Sequence, residues 1–391
     1  MKKTKVLFFL LFIPLLVLGQ NAQLSPQAEI SIITCGPGEE LYSSFGHSAF
    51  RVKDPSLKLD LAYNYGTFDF NKPNFYINFA QGKLLYQLSV SYFEDFVYNY
   101  KVEERWVKEQ VLNLTPDEKN ELFNFLNINA KPENREYLYD FFFDNCSTKI
   151  RDVLEEVLNN NIQFNYSHIK EEYTFRELIQ MNLNANSWGS LGIDLGLGSK
   201  IDRKASPYEY MFLPDYVMYA FDNATHKNKS MVKETNTLIS ADNNIKKNES
   251  FFLSPGFLFS IIMLFVGLIT YLDFKKNKRS RWLDFTLFFL TGLIGIFILL
   301  LWFATDHTMT KYNFNFLWAF PLNIVASFYL AKKVMKKWVS KYILLPLSLI
   351  GLVFIFWIFK IQVFPIVIIP ILIMLAIRYL YIIKHSQTLK D

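Results

Sequence analysis

The chain has 391 residues, 51% of them hydrophobic and 17% aromatic, with a formal net charge of +5 and two cysteines. So apolar a composition excludes a disordered chain, and two cysteines exclude a disulfide-built scaffold. The charge divides unevenly: residues 251–391 hold 15 Lys and Arg against 4 Asp and Glu, a balance of +11, whereas residues 21–250 carry −9, so +5 describes neither half and points to no nucleic-acid partner.

Residues 1–20 read as an export signal peptide. Lys2, Lys3 and Lys5 precede an apolar run over residues 6–18, and Gly19-Gln20-Asn21-Ala22 offers small residues for cleavage. The run is short for a bilayer span, which favours removal over retention as an anchor. Export places the next part, an α+β domain over residues 21–222, outside the cytoplasmic membrane. A short apolar run ended by Gly36-Pro37-Gly38 predicts a strand over 29–35, and period-two alternation predicts strands over 47–53, 59–65, 84–90 and 105–114. Thr115-Pro116-Asp117-Glu118 is a helix start, with an N-cap, a proline at N1 and the glutamate of a capping box. The helix it opens runs to about residue 127. A second helix follows Asn145, with Ile150, Val153, Leu154, Val157 and Leu158 spaced as one apolar stripe. The aromatic run over 137–143 reads as a buried strand, and Arg151 with Asp152 as an ion pair. Residues 223–250 turn polar and aperiodic, as a linker does.

From residue 251 the chain is apolar in long blocks. Residues 251–272, 283–303, 342–359 and 363–383 are each long enough to span a bilayer, and 314–330 reaches the short limit, giving a five-span membrane domain over 251–383. The basic clusters at 275–281 and 331–341 belong on the cytoplasmic side. Residues 304–313 and 360–362, poor in Lys and Arg, belong outside, and residues 384–391 form a cytoplasmic tail. The chain therefore reads as a multi-pass protein of the bacterial inner membrane with its N-terminal domain in the periplasm. Asp306 and His307 fall in an outside loop near the membrane surface and read as solvated.

Chemistry concentrates at few residues. Cys146 lies in Asp144-Asn145-Cys146-Ser147-Thr148, in the first turn of a predicted helix. Unpaired N–H groups and the positive dipole end there favour the thiolate over the reference pKa of about 8.5. Two plainer alternatives stay open. One is a small buried residue under a helix end, and the other is a Cys35–Cys146 disulfide, which an exported chain with an even cysteine count permits. A nucleophilic thiol needs a base. Of the domain's histidines, His226 falls in the linker and His168 in a polar stretch, and both read as solvated. His47 opens a strand after Gly46, where a missing side chain lets a substrate or second backbone approach; the alternative is a strand-end histidine bonded to a loop carbonyl. Neither a phosphate-cradling glycine loop nor a zinc-spaced Cys/His cluster occurs, so no metal and no cofactor are expected.

Gly46-His47-Ser48-Ala49-Phe50, followed about a hundred residues later by Asn145-Cys146-Ser147-Thr148-Lys149, resembles the circularly permuted papain-like enzymes. These include the permuted NlpC/P60 proteins and the lecithin:retinol acyltransferase class, in which the histidine precedes the cysteine. The segments GPGEELYSSFGHSAFRV, YNYGTFDF, NFAQGKLLYQL, ERWVKEQVLNLT, YDFFFDNCSTKIRD and LGSKIDRKASPYEYMFLP together resemble the Lnb family of lipoprotein N-acyltransferases. They span most of residues 29–216, and a membrane region after the domain fits that family. The resemblance implies an α+β, permuted papain-like (NlpC/P60-like) domain followed by an all-α five-helix transmembrane domain. It implies Cys146 as the acyl-accepting nucleophile and His47 as its base. Papain-like sites add a polar group that orients the histidine from the next strand; here Asn64 is best placed by period, with Asp69 second. The implied donor is a phospholipid of the lipid bilayer, and the implied acceptor is the α-amino group of a diacylglyceryl-cysteine lipoprotein. A membrane-anchored cell-wall peptidase or amidase would use the same dyad. A non-catalytic periplasmic sensor or scaffold is the third possibility, with Cys35 and Cys146 joined.

Overall fold

The computed structural model describes residues 23–241 and 250–388. The expected signal peptide lies outside the described residues, as do residues 242–249 of the expected linker. The N-terminal domain is built on β1 (Glu29–Cys35), β2 (His47–Asp54), β3 (Leu59–Thr67), β4 (Leu85–Tyr92), β5 (Val107–Leu112) and β6 (Glu136–Leu138), with β7 (Ile162–Gln163), β8 (Thr225–His226), β9 (Lys229–Ser230) and β10 (Val232–Ile239) later in the chain. Seven of these form one antiparallel sheet in the order β10-β5-β1-β2-β3-β4-β6. The run EISIITC of β1 is buried on both faces, which suits its place near the middle.

Seven helices accompany the sheet: α1 (Phe75–Gln81), α2 (Phe93–Val102), α3 (Pro116–Asn129), α4 (Cys146–Val157), α5 (Phe175–Gln180), α6 (Trp188–Gly196) and α7 (Pro214–Asp222). Alternation along the strands sorts the two faces. Ile30, Ile32, Phe50 and Val52 pack with Leu122 of α3, Ile150 and Leu154 of α4 and Val217 of α7. Ile33, Ala49 and Ala62 pack with Phe93 and Phe96 of α2 on the other face. The expected capping box forms at Thr115: its hydroxyl accepts from the Glu118 N–H, and the Glu118 carboxylate accepts from the Thr115 N–H.

Two expectations fail in this domain. The expected linker is folded over its first part, where β8 and β9 form a hairpin and β10 pairs with β5 as an edge strand of the main sheet. An edge strand is held by backbone hydrogen bonds, so polar side chains that face water do not prevent it; only Val232 of β10 is buried. His226 is accordingly buried rather than solvated, with Nε2 2.9 Å from Oε1 of Glu118. The aromatic run 137–143 is a strand only as far as Leu138. Beyond it the chain turns, closed by paired backbone bonds between Asp140 and Asp144, and Phe143 is exposed. The Arg151–Asp152 pair forms as expected, at 2.7 Å.

The membrane domain holds α8 (Pro255–Lys276), α9 (Arg281–Phe303), α10 (Asn323–Leu330), α11 (Lys337–Tyr342), α12 (Leu344–Ile358) and α13 (Ile369–Thr388). Among the described residues, four helical stretches are long and apolar enough to span a bilayer: Pro255–Lys276, Arg281–Phe303, Lys337–Ile358 and Ile366–Gln387. The third of the five expected spans is not a continuous helix. It is a 3-10 turn at Phe314–Leu317, an irregular stretch and the eight-residue α10. Irregular backbone survives at membrane depth only where protein covers it. Here Asn315, Trp318, Ala319, Asn323 and Ser327 are all buried. Gly292 and Gly295 of α9 make room for it, since a Cβ on either would collide with the backbone of Ile324 or Ala319. At one end of the bundle Arg279 donates to the carbonyls of Leu330 and Lys332, so both basic clusters share a side.

At the other end the N-terminal domain is seated on the bundle. Asn315 Nδ2 donates to the Asp194 carbonyl and Asn313 Nδ2 to that of Leu195, both on α6. The Gly198 N–H donates to Met309, that of Ser199 to Tyr312, and Trp188 Nε1 to the Leu253 carbonyl. Behind this contact Arg176 is buried between Asp194 at 2.6 Å and Asp202 at 2.7 Å.

Candidate active site

The nucleophile's position follows from its helix cap. Asn145 is extended, and its side-chain oxygen accepts from the N–H groups of Ser147 at 2.8 Å and Thr148 at 2.9 Å; Thr148 Oγ1 accepts in return from the Asn145 N–H. Such a cap stabilises a helix by about 1 kcal/mol and fixes where its first residue points. That residue is Cys146. The stripe Ile150, Val153, Leu154 and Val157 is buried and presses α4 onto the sheet. The cap consumes the N–H groups of Ser147 and Thr148 and leaves that of Cys146 itself outside it.

Opposite lies His47, first residue of β2. Its Nε2–H donates to Asn64 Oδ1 at 2.6 Å, so Nδ1 is the nitrogen left for the sulfur. Strand period puts His47 and Asn64 on the α2 face, and the Phe96 ring lies 6.5 Å from the imidazole. Asp69 is not part of the group; it is exposed and caps its own turn at Asn71. Gly66, at φ +86°, rests on the nucleophile, a Cβ there falling 3.4 Å from that of Cys146. Only glycine takes that backbone freely and leaves the sulfur uncrowded.

Cys146 and His47 are half-buried and tune one another. Burial alone would raise the thiol pKa, but the His47 charge and hydrogen bond outweigh it, helped by the Ser48 N–H and the Ser147 hydroxyl, and the thiol lies below its ordinary value. Burial alone would lower the imidazole; the Cys146 charge, its hydrogen bond and the Asn64 bond reverse that and raise it. The two shifts favour a thiolate–imidazolium pair. Cys35 behaves oppositely. It is free, fully buried across from His47 in the β1–β2 register, and desolvation pushes its thiol up to about 12. No disulfide joins the two cysteines, so that alternative is excluded.

An alkylation experiment checks this electrostatics. Iodoacetamide is expected to modify Cys146 at a pH below the ordinary thiol pKa while Cys35 stays unmodified. Removing the imidazolium in His47→Ala should move the acid limb of that profile upward. Modification of Cys146 only above pH 9, with no shift in His47→Ala, would contradict the pairing. Asn64→Ala removes a hydrogen bond to a charged group, a contribution of about 1.5–3 kcal/mol, so turnover is expected to fall about 10–100-fold. An unchanged rate would exclude an orienting role for Asn64.

Sequence reasoning missed the aromatic surroundings. Tyr139 stacks on Tyr86 with ring centroids 4.1 Å apart. Its hydroxyl is held well above its ordinary pKa, first by burial and then by the Cys146 charge, so it stays protonated. Arg105 was missed as well. It donates to the Gly36 carbonyl at 2.8 Å and adds positive charge near Cys35 and His47. Both lie in segments read as strands, 105–114 and 137–143, and nothing in either pattern set them apart as site residues. His168 is half-buried among Tyr166, Tyr216 and Tyr219, away from the dyad. Among the described residues no three His, Cys, Asp or Glu side chains gather as a metal ion would need.

Residues 20–181 match the Lnb N-terminal periplasmic domain, and residues 246–390 match the Lnb transmembrane domain. Searches of curated proteins and of solved structures find no match. A periplasmic domain seated on a bundle with four apolar membrane-length helices makes this a multi-pass inner-membrane protein. Matched in both of its regions, in the order that family places them, the chain belongs to the Lnb family.

Proposed function

We propose that the protein is a lipoprotein N-acyltransferase working through an acyl-thioester on Cys146. The observation that carries this is the Cys146–His47–Asn64 arrangement at a capped helix start, on a domain docked to a membrane bundle. The Cys146 thiolate attacks the ester carbonyl of a phospholipid; a C–S bond forms and the ester C–O bond breaks. The lysophospholipid alkoxide leaves with the proton that His47 holds at Nδ1. The α-amino group of a diacylglyceryl-cysteine lipoprotein then attacks the thioester. A C–N bond forms, the C–S bond breaks, and His47 takes the amine proton as the thiolate is restored. Developing oxyanion charge meets the Cys146 N–H, the one backbone donor of that turn that the Asn145 cap leaves outside it. Both substrates reside in the membrane, so docking the domain on the bundle confines the encounter to its surface.

Incubating the protein in vesicles with radiolabelled phospholipid, without acceptor, tests the first half. The expected product is a hydroxylamine-labile acyl group on Cys146. No label on Cys146, with turnover of cell-wall peptide instead, would favour a peptidase or amidase.

A further inference from the structure

The exposed aromatic helix α1 is the least expected surface feature of the N-terminal domain. The sequence NFYINFAQG over residues 74–82 contains no charge. Phe75 is buried, but Tyr76, Ile77 and Phe79 are 74%, 58% and 54% exposed. An apolar cluster of that kind on a domain surface marks contact with a protein or a membrane.

Its location identifies the partner. The Asp306 N–H donates to the Gln81 carbonyl at 2.9 Å, and His307 Nε2 bonds that of Phe79 at 3.0 Å. Asp306 and His307 are three and four residues beyond the end of α9, so α1 lies within about 14 Å of the end of a membrane-length helix. Trp302 and Phe303 stack at that end, as interfacial aromatic residues do. Lys83, exposed just after the apolar stretch, is placed to reach lipid headgroups, whereas Lys72 before it pairs with Glu136 at 2.6 Å. The solvated loop expected at 304–313 is thus the fastening between α1 and the bundle. Thr308 extends it to the turn before the nucleophile, donating to Asp140 at 2.9 Å.

A series of rings leads inward from α1. Tyr76 lies 5.3 Å from Phe75, Phe75 5.8 Å from Phe68, Phe68 5.2 Å from Tyr86, and Tyr86 stacks on Tyr139. Phe68 follows by two residues the Gly66 that rests on Cys146. The series therefore starts on the exposed face of α1 and ends at Tyr139, whose hydroxyl feels the Cys146 charge, while Gly66 lies against Cys146 itself.

We propose that α1 is inserted in the outer leaflet of the membrane that the bundle spans, and that the rings from Tyr76 to Tyr139 are the path by which a phospholipid acyl chain reaches Cys146. The insertion is independent of the chemistry; the path rests on the acyl-thioester proposed above.

The test has two parts, both on the full chain in vesicles of phosphatidylethanolamine and phosphatidylglycerol. A nitroxide is placed at Ile77→Cys in the Cys146→Ala protein, where the buried Cys35 does not compete for label. A second label at Leu57→Cys, in the turn before β3 at the far end of the sheet, is the reference. The label at 77 is expected to collide more with oxygen than with a water-soluble nickel chelate, and the label at 57 the reverse. In the second part, an Ile77→Ser, Phe79→Ser protein with Cys146 intact should form acyl-enzyme from vesicle phospholipid about tenfold more slowly or worse. With a water-soluble p-nitrophenyl ester of a short acid it should react at the unsubstituted rate. A label at 77 as open to the nickel chelate as that at 57 would overturn the insertion, and equal losses with both donors would overturn the path. Failure of the unsubstituted protein to acylate with either donor would instead defeat the thioester chemistry, while the depth measurement still decides the insertion.

Discussion

Replacing Cys146 by alanine is expected to lower N-acylation at least about 10⁴-fold, because the thioester step has no other nucleophile and the remaining groups supply only binding and polarisation. The protein should still accumulate in the membrane. Cys146 is half-buried in the first turn of α4, and the Asn145 cap and the apolar stripe beneath the helix do not use its sulfur. His47→Ala should produce a comparable loss, and the two substitutions together little more than either alone, since the groups act as one unit. Losses that multiply would mean that His47 acts on another step. Cys35→Ala should keep activity, its thiol being inert in the core; measuring N-acylation and thermal unfolding of all three variants separates chemistry from folding.

Arg176→Ala is expected to cause the largest loss of stability. Arg176 is buried with its guanidinium between Asp194 and Asp202, and Nη2 also donates to the Gly198 carbonyl. The same segment bonds the bundle through Asp194, Leu195 and Gly198. Truncation leaves two buried carboxylates without a counter-charge, a loss of about 3–5 kcal/mol. Burial already lifts the Asp202 carboxyl above its usual value even with Arg176 beside it. Without the arginine the Asp202 carboxyl rises further, and the folded variant holds a proton that the unfolded chain releases. Its stability is then present at low pH and falls as pH rises through the unfolded carboxylate range toward the raised folded value. Thermal unfolding of the variant between pH 4 and pH 8 should show that decline, with the loop at 304–313 newly open to protease. Unfolding and proteolysis indistinguishable from the unsubstituted protein would mean that the ion cluster does not hold the domain on the bundle.

What the sequence made legible was what local rules govern. The capping box at Thr115, the stripe of α4 and the alternation of β2 and β3 are short-range patterns that set Cys146 at a helix start; the pairing of His47 with Asn64 needed the resemblance as well, which implied an orienting group on the next strand. What was missed depends on contacts distant in sequence. His226 is buried because Glu118, 108 residues away, accepts from it. β10 is a strand because β5 offers an open edge, a backbone interaction that leaves no mark on side-chain polarity. The third span is broken because Gly292 and Gly295 let an irregular backbone lie against α9, where its asparagines find partners. Asp306 and His307 looked like a solvated loop because nothing local announces that α1 lies against them. Hydropathy located four helices of membrane length and described the third expected span poorly.

The central claim is acyl transfer to an amine through Cys146, and mass spectrometry of a lipoprotein N-terminus tests it most directly. A diacylated lipoprotein is incubated in vesicles with the purified protein, and in parallel with its Cys146→Ala variant. The N-terminal peptide should gain the mass of one acyl chain on its α-amino group in the first case and none in the second. An N-terminal peptide of unchanged mass with the active protein, or equal acylation with the variant, would contradict it.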